Sequence, residues 1–393
     1  MNSDPVVILA ARRTPVGAFQ GAFASVTAPQ LGSVAIKAAL ADSAVDVSQV
    51  DEVIMGCVLA AGLGQAPARQ AALGGGIPAS VPSTTVNKMC GSAMRALMLA
   101  ADQILAGSAK VIVAGGLESM TNAPYLLPKA RAGYRMGNQE VLDHMFYDGL
   151  QSPWDGQLMG CFAEATSEKY KFTRKAQDDF AAESVRRALA AVNGGAFAAE
   201  IAAVTAKTRK GEVIVDKDET PFTLDIAKIP TLKPAFKKDG TVTAASSSGI
   251  SDGAAALVLS RESFAAAQGR KPLARILGYS SFAREPEWFT LAPVGAMQKL
   301  LKRLDWQAKD VDLYEINEAF AAVPMAAMQD LGLDHQKVNV NGGACALGHP
   351  IGATGARIVT TLLHALRARG KQRGIASLCI GGGEATAMAI ELM

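Results

Sequence analysis

The stretch Val86–Leu97 reads VNKMCGSAMRAL and contains the residue on which the interpretation of the whole sequence depends. A short β-like run meets Cys90, two small residues follow, and a helical pattern begins after them. A thiol at the start of a helix lies near unpaired backbone N–H groups and the positive end of the helix dipole, and both lower its pKa from about 8.5. The pattern favours a nucleophilic cysteine; a buried cysteine that packs as a small apolar side chain is the alternative.

Outward from this stretch, the sequence contains a weak internal repeat. Three pairs of segments occur in the same order and at nearly constant separation. The pairs are Val50–Gly56 with Val311–Asn317 (VDEVIMG and VDLYEIN), Val86–Ala93 with the stretch that begins at Val340, and Val113–Glu118 with Cys379–Glu384 (VAGGLE and CIGGGE). The common order predicts a chain built from two similar halves.

Short β-rich runs alternate with Ala/Leu-rich helical stretches along the chain. The predicted strands are Val6–Ala11, Val53–Val58, Lys110–Gly115, Ala256–Ser260, Leu313–Ile316 and Ile375–Ile380. The predicted helices include Gln30–Ala41, Ala93–Ala106, Arg174–Val192, Gly295–Arg303 and Gly355–Arg369. Alternation of this kind predicts an α/β fold with largely parallel sheets that are covered on both faces.

The length of 393 residues predicts at least two domains, because a single hydrophobic core stops growing before that size. Residues 120–248 differ from the rest in being richer in Pro, Tyr and charged residues. We therefore predict an N-terminal half at 1–119, completed by about 249–268, an inserted loop lobe at 120–248, and a C-terminal half at 269–393.

The glycine-rich stretch Asn341–Arg357 reads NGGACALGHPIGATGAR and contains one of only four histidines, His349. Successive glycines predict a tight loop in which the backbone approaches another group closely. An imidazole held by such a loop suits a general base with a pKa near the operating pH. A structural histidine with satisfied hydrogen bonds is the alternative.

Two further stretches carry polar or reactive side chains at the ends of predicted strands. In SLCIGGGEATAMAI, Cys379 ends a strand and Gly381–Gly383 follow, and uncovered backbone N–H groups of such a loop can point at a developing oxyanion. In YEINEAFAAVPM, Asn317 and Glu318 stand between a strand and a helix. Asn317 can position a catalytic water or carbonyl, and helix N-capping is an equally good interpretation.

Composition excludes several classes of function. A formal net charge of +3 is too small to indicate nucleic acid as the main partner. Five scattered cysteines without a CxxC pair, together with four histidines, predict neither a disulfide framework nor a metal site. The first residues do not resemble a signal peptide, so we expect none, and the sequence contains no run of apolar residues long enough to span a membrane. We expect a cytoplasmic protein in a reducing compartment, without a membrane partner.

Taken together, these stretches resemble the motifs of the thiolase family, in the same order and over essentially the whole chain. The resemblance rests on the segments NKMCGSAMRA, AGGLESMTNAPY, SSSGISDGAAA, INEAFAA, NVNGGACALGHPIGATGARI and CIGGGE. Gly64–Gly91 is especially similar to the acetyl-CoA acetyltransferase branch. The resemblance implies two similar halves layered α-β-α-β-α, with the inserted lobe binding coenzyme A (CoA).

The family's catalytic roles transfer to matching positions of this chain. Cys90 resembles the acyl-carrying nucleophile, and His349 resembles the base that deprotonates it and helps to hold the thioester oxygen. Cys379 resembles the acid/base at the α-carbon of acetyl-CoA. Asn317 resembles the residue that holds a water in a first oxyanion hole, and the N–H groups of Cys90 and Gly381 resemble a second one.

Ser248 resembles a serine that contacts the pantetheine arm of CoA, and Met159, Ala319 and Phe320 resemble the lining of that site. Leu158 stands where the acetoacetyl-specific branch commonly has histidine, which leaves the acyl chain length open. The arginine that often contacts CoA in the central lobe has no clear counterpart in this chain.

The resemblance implies an acetyl-CoA C-acetyltransferase, which condenses two acetyl-CoA to acetoacetyl-CoA and CoA and runs the reverse thiolysis. It implies no cofactor beyond the CoA thioesters, no metal, and a homo-oligomer (dimer or tetramer). A 3-ketoacyl-CoA thiolase of broader chain length in fatty acid oxidation is the nearest alternative. A condensing enzyme of fatty acid synthesis would have a histidine in place of Cys379, and a non-catalytic carrier would not need all four reactive groups.

Overall fold

The computed structural model describes residues 4–208 and 211–393. The first three residues of the predicted N-terminal half, and residues 209–210 of the predicted lobe, lie outside the described part of the chain. The N-terminal part of the chain forms these elements: β1 (Val6–Arg13), β2 (Gly17–Ala18), α1 (Ala28–Ser43), β3 (Glu52–Gly56), α2 (Pro67–Gly74), β4 (Ser83–Val86), α3 (Ser92–Ala106) and β5 (Val111–Ser119).

Two small hairpins, two longer helices and several single turns follow in the middle of the chain. The regular elements there are β6 (Tyr125–Leu126), β7 (Leu142–Asp143), a π-helix (Met145–Leu150), α4 (Met159–Tyr170), α5 (Arg174–Asn193), β8 (Val204–Thr208) and β9 (Gly211–Val215). The predicted helix Arg174–Val192 is confirmed as α5. The sequence analysis did not predict α4, which carries Met159 at its first turn.

The remaining chain returns to the main sheet. Its elements are β10 (Ser251–Arg261), α6 (Glu262–Ala267), β11 (Ala274–Ala283), α7 (Ala292–Leu304), β12 (Leu313–Ile316), α8 (Ala322–Leu331), α9 (Ala344–Leu347), α10 (Thr354–Ala368), β13 (Arg373–Ile380) and β14 (Glu384–Leu392). Short 3-10 turns occur at Val47–Gln49, Ala130–Ala132, Thr220–Phe222, Ile226–Thr231, Pro286–Leu291, Ala308–Asp310 and His335–Lys337.

The strands form one hydrogen-bonded path in the order β4-β3-β5-β10-β1-β11-β14-β13-β12, with β2 added beside β10. Each half repeats the same order, because β1-β10-β5-β3 corresponds to β11-β14-β13-β12. The halves join where β1 pairs with β11, through Val7↔Arg275 and Ile8↔Ala274. The predicted mixed α/β class is confirmed.

The expectation of largely parallel sheets is wrong. Only the β3–β4, β3–β5 and β12–β13 pairs are parallel, and the other pairs of the main sheet are antiparallel. Strands such as β10 are buried almost throughout, so their continuous apolar runs look like those of parallel strands. The hairpin between β13 and β14 shows the antiparallel relation directly, since Ile380 pairs with Glu384 across a three-glycine turn.

Helices form three layers around the two parts of the sheet. One core cluster packs α1 and α2 against β1, β3 and β5 on the outer side of the N-terminal half. Another packs α7 and α8 against β12–β14 on the outer side of the C-terminal half. The central cluster encloses α3 and α10 between strands of both halves, and its members include Leu97, Ile104, Leu257, Ile358, Leu362 and Leu378. This is the expected α-β-α-β-α arrangement.

Capping residues explain where the helices begin. Thr27 caps α1 by accepting the Gln30 N–H, while the Gln30 side chain accepts the Thr27 N–H. This reciprocal capping box satisfies two backbone donors that a helix start leaves free, which is why α1 begins at Ala28 rather than at the predicted Gln30.

The two central helices approach each other at a glycine. A Cβ atom on Gly355 would lie 2.3 Å from the backbone nitrogen of Met94, a distance that real Cβ contacts do not reach. Because α3 starts just after Cys90 and α10 just after His349, this contact brings the two loops that contain these residues to the same place. The close approach of the two helices therefore positions the site.

Gly355→Ala is expected to destabilise the protein by about 1–3 kcal/mol, because the new methyl group would push α10 away from the α3 backbone. Chemical denaturation measures the free energy of unfolding. Gly278→Ala is the matched control, since its Cβ would lie 3.4 Å from the Leu304 side chain, an ordinary contact. Equal stability of the two variants would contradict the tight helix contact.

Candidate active site

Cys90 lies in a tight loop between β4 and α3. Met89, just before it, has a φ of 49°, in the left-handed region that non-glycine residues rarely adopt. The Ser92 hydroxyl holds this loop, because it accepts the Lys88 N–H at 2.8 Å and donates to the Met89 carbonyl at 2.6 Å. The local sequence thus fixes the sulfur at the beginning of α3.

The electrostatic surroundings of Cys90 differ from the expectation. Its own N–H and the Gly381 N–H both hydrogen-bond to the sulfur and lower the thiol pKa, as the helix-start argument requires. Burial of the thiol has a larger effect than these two hydrogen bonds, and the negative charge of Glu118 acts in the same direction as burial. Together they raise the pKa of Cys90 to about 11. The expected net lowering is therefore wrong: without substrate, Cys90 is a neutral thiol.

Cys379 is the last residue but one of β13 and lies near Cys90. Its side chain is buried, and burial together with the negative charge that Cys90 would carry raises the pKa of Cys379 well above its ordinary value. The turn after it needs glycine, because Gly382 and Gly383 have φ values of 96° and 92°. The Cys90 sulfur therefore lies near both Cys379 and the Gly381 N–H.

His349 is buried, and its hydrogen bonds identify its tautomer. Its Nδ1 lies 2.6 Å from the Thr354 hydroxyl, which donates to the Pro350 carbonyl at 2.9 Å. Because the Thr354 hydroxyl donates its proton to Pro350, it can only accept from His349. His349 therefore carries its proton on Nδ1, and Nε2 is unprotonated and can accept a proton. Burial, assisted by the positive charge of Arg357, lowers the pKa of His349 to about 3. The expectation of a pKa near neutrality is wrong, yet the neutral ring is a proton acceptor at Nε2.

Asn317 follows β12 and faces His349. Its Nδ2 lies 3.5 Å from His349 Nε2, and its backbone N–H donates to the Ser377 carbonyl at 2.9 Å, next to the end of β13. The alternative N-cap interpretation is wrong, because α8 begins at Ala322 with Ala321 as its N-cap residue. The Asn317 side chain is thus directed at His349, which lines the cavity, rather than at a helix end.

Glu318, the neighbour of Asn317, has a different environment. Its buried carboxylate accepts hydrogen bonds from the Ser184 hydroxyl, the Asn339 amide and the Cys345 N–H, at 2.7, 2.8 and 3.0 Å. Three donors leave this carboxylate little capacity for substrate. Glu318 holds the loop before α9 in place.

His349 forms part of the wall of a cavity of about 330 Å³. All five residues predicted to line a substrate site lie along this cavity: Leu158, Met159, Ser248, Ala319 and Phe320. Backbone hydrogen bonds join its walls, from Ser248 N–H to the Ala319 carbonyl at 3.0 Å and from His349 N–H to the Gly249 carbonyl at 3.1 Å. Further lining residues were not predicted from the sequence, and they include Met120, Phe146, Leu150, Phe236, Ile250 and Ile351.

Sequence reasoning also missed the residues that hold the reactive groups. Thr354 and Arg357 lie three positions apart on α10, so they share one face, and they contact His349 and Asn317 respectively. The three-residue spacing of Thr354 and Arg357 can be seen in the sequence. Their partners cannot, because His349 and Asn317 are brought to them only by the tertiary structure.

Two glutamates connect the halves beside the site. The Glu118 carboxylate accepts N–H groups of Val58 and Leu59 in its own half and of Gly352 in the other, at 3.1, 3.1 and 2.8 Å. Burial raises the pKa of Glu118 to about 7, although these donors oppose the shift. Glu384, its counterpart in the repeat, forms an ion pair with Lys88 in the Cys90 loop. Both contacts fix loops of the site.

Within residues 4–208 and 211–393, no three His, Cys, Asp or Glu side chains are grouped so that they could hold a metal ion. The same described ranges contain no helix that combines the length and the apolar character needed to cross a membrane.

Comparison with known proteins gives one consistent result. The family described as thiolase, N-terminal domain, matches residues 6–263, and the family described as thiolase, C-terminal domain, matches residues 270–392. The acetyl-CoA acetyltransferase of Escherichia coli (strain K12) is 52% identical over 387 residues, covering 98% of each chain. That of Cupriavidus necator is 50% identical over 390 residues, covering 98% of this chain and 99% of the relative.

Solved structures show the same similarity. The Bacillus anthracis acetyl-CoA acetyltransferase is 44% identical with a TM-score of 0.97, covering 99% of each chain. The Acat5 thiolase from Ascaris suum, solved in complex with coenzyme A, is 42% identical with a TM-score of 0.94, covering 99% of this chain and 100% of that chain.

Without substrate, Cys90 is expected to ionise only well above neutral pH, toward its pKa of about 11. Since a thiol ionises as pH rises through its pKa, ultraviolet absorbance of the thiolate should appear only in alkaline solution. The difference between wild type and Cys90→Ser isolates this sulfur from the other four cysteines. A titration midpoint near neutrality would contradict the dominant effect of burial.

Proposed function

This chain belongs to the thiolase family, and we propose that it is an acetyl-CoA C-acetyltransferase that converts two acetyl-CoA into acetoacetyl-CoA and CoA, and back. The observation that carries the proposal is the closeness of Cys379 to Cys90, whose sulfur accepts the Gly381 N–H, together with the presence of His349 in the wall of the cavity. Relatives that are about half identical over nearly the whole chain bear the same activity in their names.

In the first half-reaction, Cys90 becomes acetylated. Its S–H proton moves to Nε2 of His349, the sulfur attacks the acetyl carbon, and the bond from that carbon to the CoA sulfur breaks. The departing CoA sulfur takes the proton of Cys379 and leaves as the thiol. The N–H groups of Cys90 and Gly381 suit the acetyl oxygen, because they already point at the nucleophile, and such fixed donors stabilise a developing oxyanion.

In the second half-reaction, a second acetyl-CoA enters. Cys379, now a thiolate, removes the α-proton, and the enolate carbon attacks the acetyl group on Cys90. The new carbon–carbon bond forms as the bond to the Cys90 sulfur breaks, and the Cys90 sulfur regains the proton from His349. Asn317 Nδ2 and protonated His349 Nε2 would hold the thioester oxygen of the enolate, directly or through a water. The raised pKa of Cys379 explains why it carries a proton before the reaction begins.

The lining of the cavity supports a thioester with a flexible, mostly apolar arm. Leu158, Met159, Ala319 and Phe320 offer apolar surface, and Ser248 offers a hydroxyl to the amides of a pantetheine arm. We propose that residues 120–248 form the lobe that binds CoA. The reaction needs only proton transfer and acyl transfer, so we propose no cofactor beyond the CoA thioesters.

The other candidate functions have less support. The curated relatives favour the acetyl-CoA acetyltransferase over a 3-ketoacyl-CoA thiolase of broad chain length. A condensing enzyme of fatty acid synthesis would need a histidine where Cys379 stands. The five cysteines are all unpaired, which supports a reducing compartment, and we propose the cytoplasm.

Cys90→Ala is expected to abolish both acetyl-enzyme formation and acetoacetyl-CoA synthesis, because no nucleophile remains. Cys379→Ala should still incorporate acetyl label from radiolabelled acetyl-CoA, although more slowly, because the departing CoA then takes its proton from solvent. Condensation should fall further, by about 10²–10⁴-fold, because the group that removes the α-proton is then missing. Mass spectrometry of the labelled protein and a coupled assay of acetoacetyl-CoA measure the two steps.

Cys161→Ala is the matched control, since this cysteine is also unpaired but contacts the Phe236 carbonyl rather than either reactive sulfur. Equal loss of both steps in Cys379→Ala would contradict the division of roles. Wild-type protein that forms neither acetyl-enzyme nor acetoacetyl-CoA would contradict the proposed function itself.

We further propose a homo-oligomer, a dimer or tetramer of this chain. Strand β4 ends the sheet and leaves one edge of its backbone without a partner strand in the described chain, and such edges invite pairing. A second surface exposes large apolar side chains, of which Met136 is 91% exposed. This apolar surface consists of the exposed large apolar side chains of one stretch of the chain, residues 125–147, in which β6 pairs with β7: Tyr125, Leu127, Tyr134, Met136, Val141, Phe146 and Tyr147. Exposed patches of this kind mark association sites.

The double substitution Leu127→Asp with Met136→Asp is expected to lower the mass of the assembly, because two charges would be buried in an apolar contact. Light scattering coupled to size-exclusion chromatography measures the mass. Ile214→Asp is the control, since Ile214 is 74% exposed on β9, outside the apolar surface. A wild-type monomer at all concentrations would contradict the oligomer, and an unchanged assembly in the double variant would contradict this contact.

A further inference from the structure

A buried ion pair beside the site lacks part of its hydrogen bonding. Arg357 and Glu315 each have side chains only 2% exposed, and Arg357 Nη1 lies 3.8 Å from Glu315 Oε2, too far for a hydrogen bond. Among the described residues, Arg357 Nε and Nη1 and Glu315 Oε1 have no hydrogen-bond partner. Burial raises the pKa of Glu315 to about 8 although Arg357 opposes the shift. Buried polar groups without full hydrogen bonding cost stability, so this pair calls for a functional explanation.

The guanidinium of Arg357 makes one side-chain hydrogen bond within the described chain, and it goes to the site. Nη2 donates to Asn317 Oδ1 at 3.4 Å. An amide presents oxygen on one side and NH₂ on the other, and Arg357 has only donors. With its oxygen held by Arg357, Asn317 must turn Nδ2 toward His349, where the structure has it at 3.5 Å from Nε2.

The same turn of α10 orients the histidine. Thr354 and Arg357 are three positions apart and face the same way, and Thr354 holds Nδ1 of His349 at 2.6 Å. The first turn of α10 therefore fixes both partners of the first oxyanion hole, one through a hydroxyl and the other through a guanidinium.

We propose that Arg357 is a positioning residue for the first oxyanion hole, in which it holds the Asn317 amide so that Nδ2 faces His349 Nε2 and the thioester oxygen. This inference rests on the proposed function, since it concerns the step that forms the enolate. Without Arg357, the amide could rotate and present Oδ1 to the developing negative charge, which would repel it.

The charge of Arg357 supports the same role. It lowers the pKa of His349 and so favours the neutral imidazole that accepts the Cys90 proton. Arg357 is itself surrounded by charged groups from several elements, namely Glu315 on β12, Arg13 on β1, and Glu200 and Asp218 from the middle of the chain. The three carboxylates favour the charged guanidinium, whereas burial and the positive charge of Arg13 oppose it.

The test compares Arg357→Met, which keeps the length of the side chain, with Arg367→Met at an exposed position of the same helix. Two rates are measured: acetylation of Cys90 in a single turnover, and exchange of the α-protons of acetyl-CoA with deuterated water. Arg357→Met should slow exchange and condensation by about 10²–10³-fold, as loss of one oxyanion-hole donor does. Acetylation, which uses the other hole, should change by less than about tenfold, and Arg367→Met should resemble wild type.

Arg357→Met leaves the Glu315 carboxylate buried without its partner, so the variant could fail to fold. The double variant Arg357→Met with Glu315→Gln removes that charge and should show the same selective loss. Arg357→Lys keeps the charge but not the forked donor, and should recover only part of the exchange rate. In Arg357→Met the acid limb of the pH profile for acetylation should also move to higher pH, because His349 would protonate more readily.

Equal slowing of acetylation and exchange would contradict the proposal and indicate a purely structural role. Wild-type exchange rates in the folded double variant would also contradict it. Wild-type protein without either activity would contradict the proposed function together with this inference, whereas an active wild type with an equally active Arg357→Met would contradict the role of Arg357 alone.

Discussion

The close packing of α3 against α10 is the constraint on which the site depends. Gly355 has no room for a Cβ atom against the Met94 backbone, so the two helices are held at backbone distance. Each helix begins where a reactive loop ends: α3 after Cys90 and α10 after His349. A small change in helix separation would therefore move the nucleophile relative to the base, and catalysis is sensitive to displacements of this kind.

The second organising feature is that the reactive groups are kept neutral before substrate binds. Glu118 adds negative charge near Cys90, which favours the thiol, and Arg357 adds positive charge near His349, which favours the neutral imidazole. Charge separation then becomes favourable only when a thioester carbonyl can accept the electrons and fixed N–H groups can hold the resulting oxyanion. A thiol kept in this state is also a weak target for stray electrophiles.

Much of this arrangement could be predicted from local sequence, and the failures have physical causes. The repeat predicted the two halves, and the strand–helix junction at Cys90 predicted a contact from a local N–H. The contact from the Gly381 N–H was expected only from the family resemblance. The net direction of the Cys90 pKa could not be predicted, because it depends on enclosure by residues far away in sequence. The prediction of strand direction was wrong for a related reason. Strands that are buried on both faces lack the alternation of apolar and polar residues that is typical of antiparallel strands. The role of Arg357 was invisible because its partner, Asn317, is 40 positions away.

The repeat also explains how two similar halves produce a site that is not symmetric. Glu118 and Glu384 occupy equivalent places in the repeated segment, and each reaches into the other half, Glu118 to Gly352 and Glu384 to Lys88. The equivalent of Cys379 is Val113, whose side chain lies in the outer core of the N-terminal half. Both halves thus contribute an equivalent glutamate that contacts the other half, while the reactive side chains differ between the halves. Each loop that contains a reactive residue is therefore held both by contacts within its own half and by a glutamate of the other half.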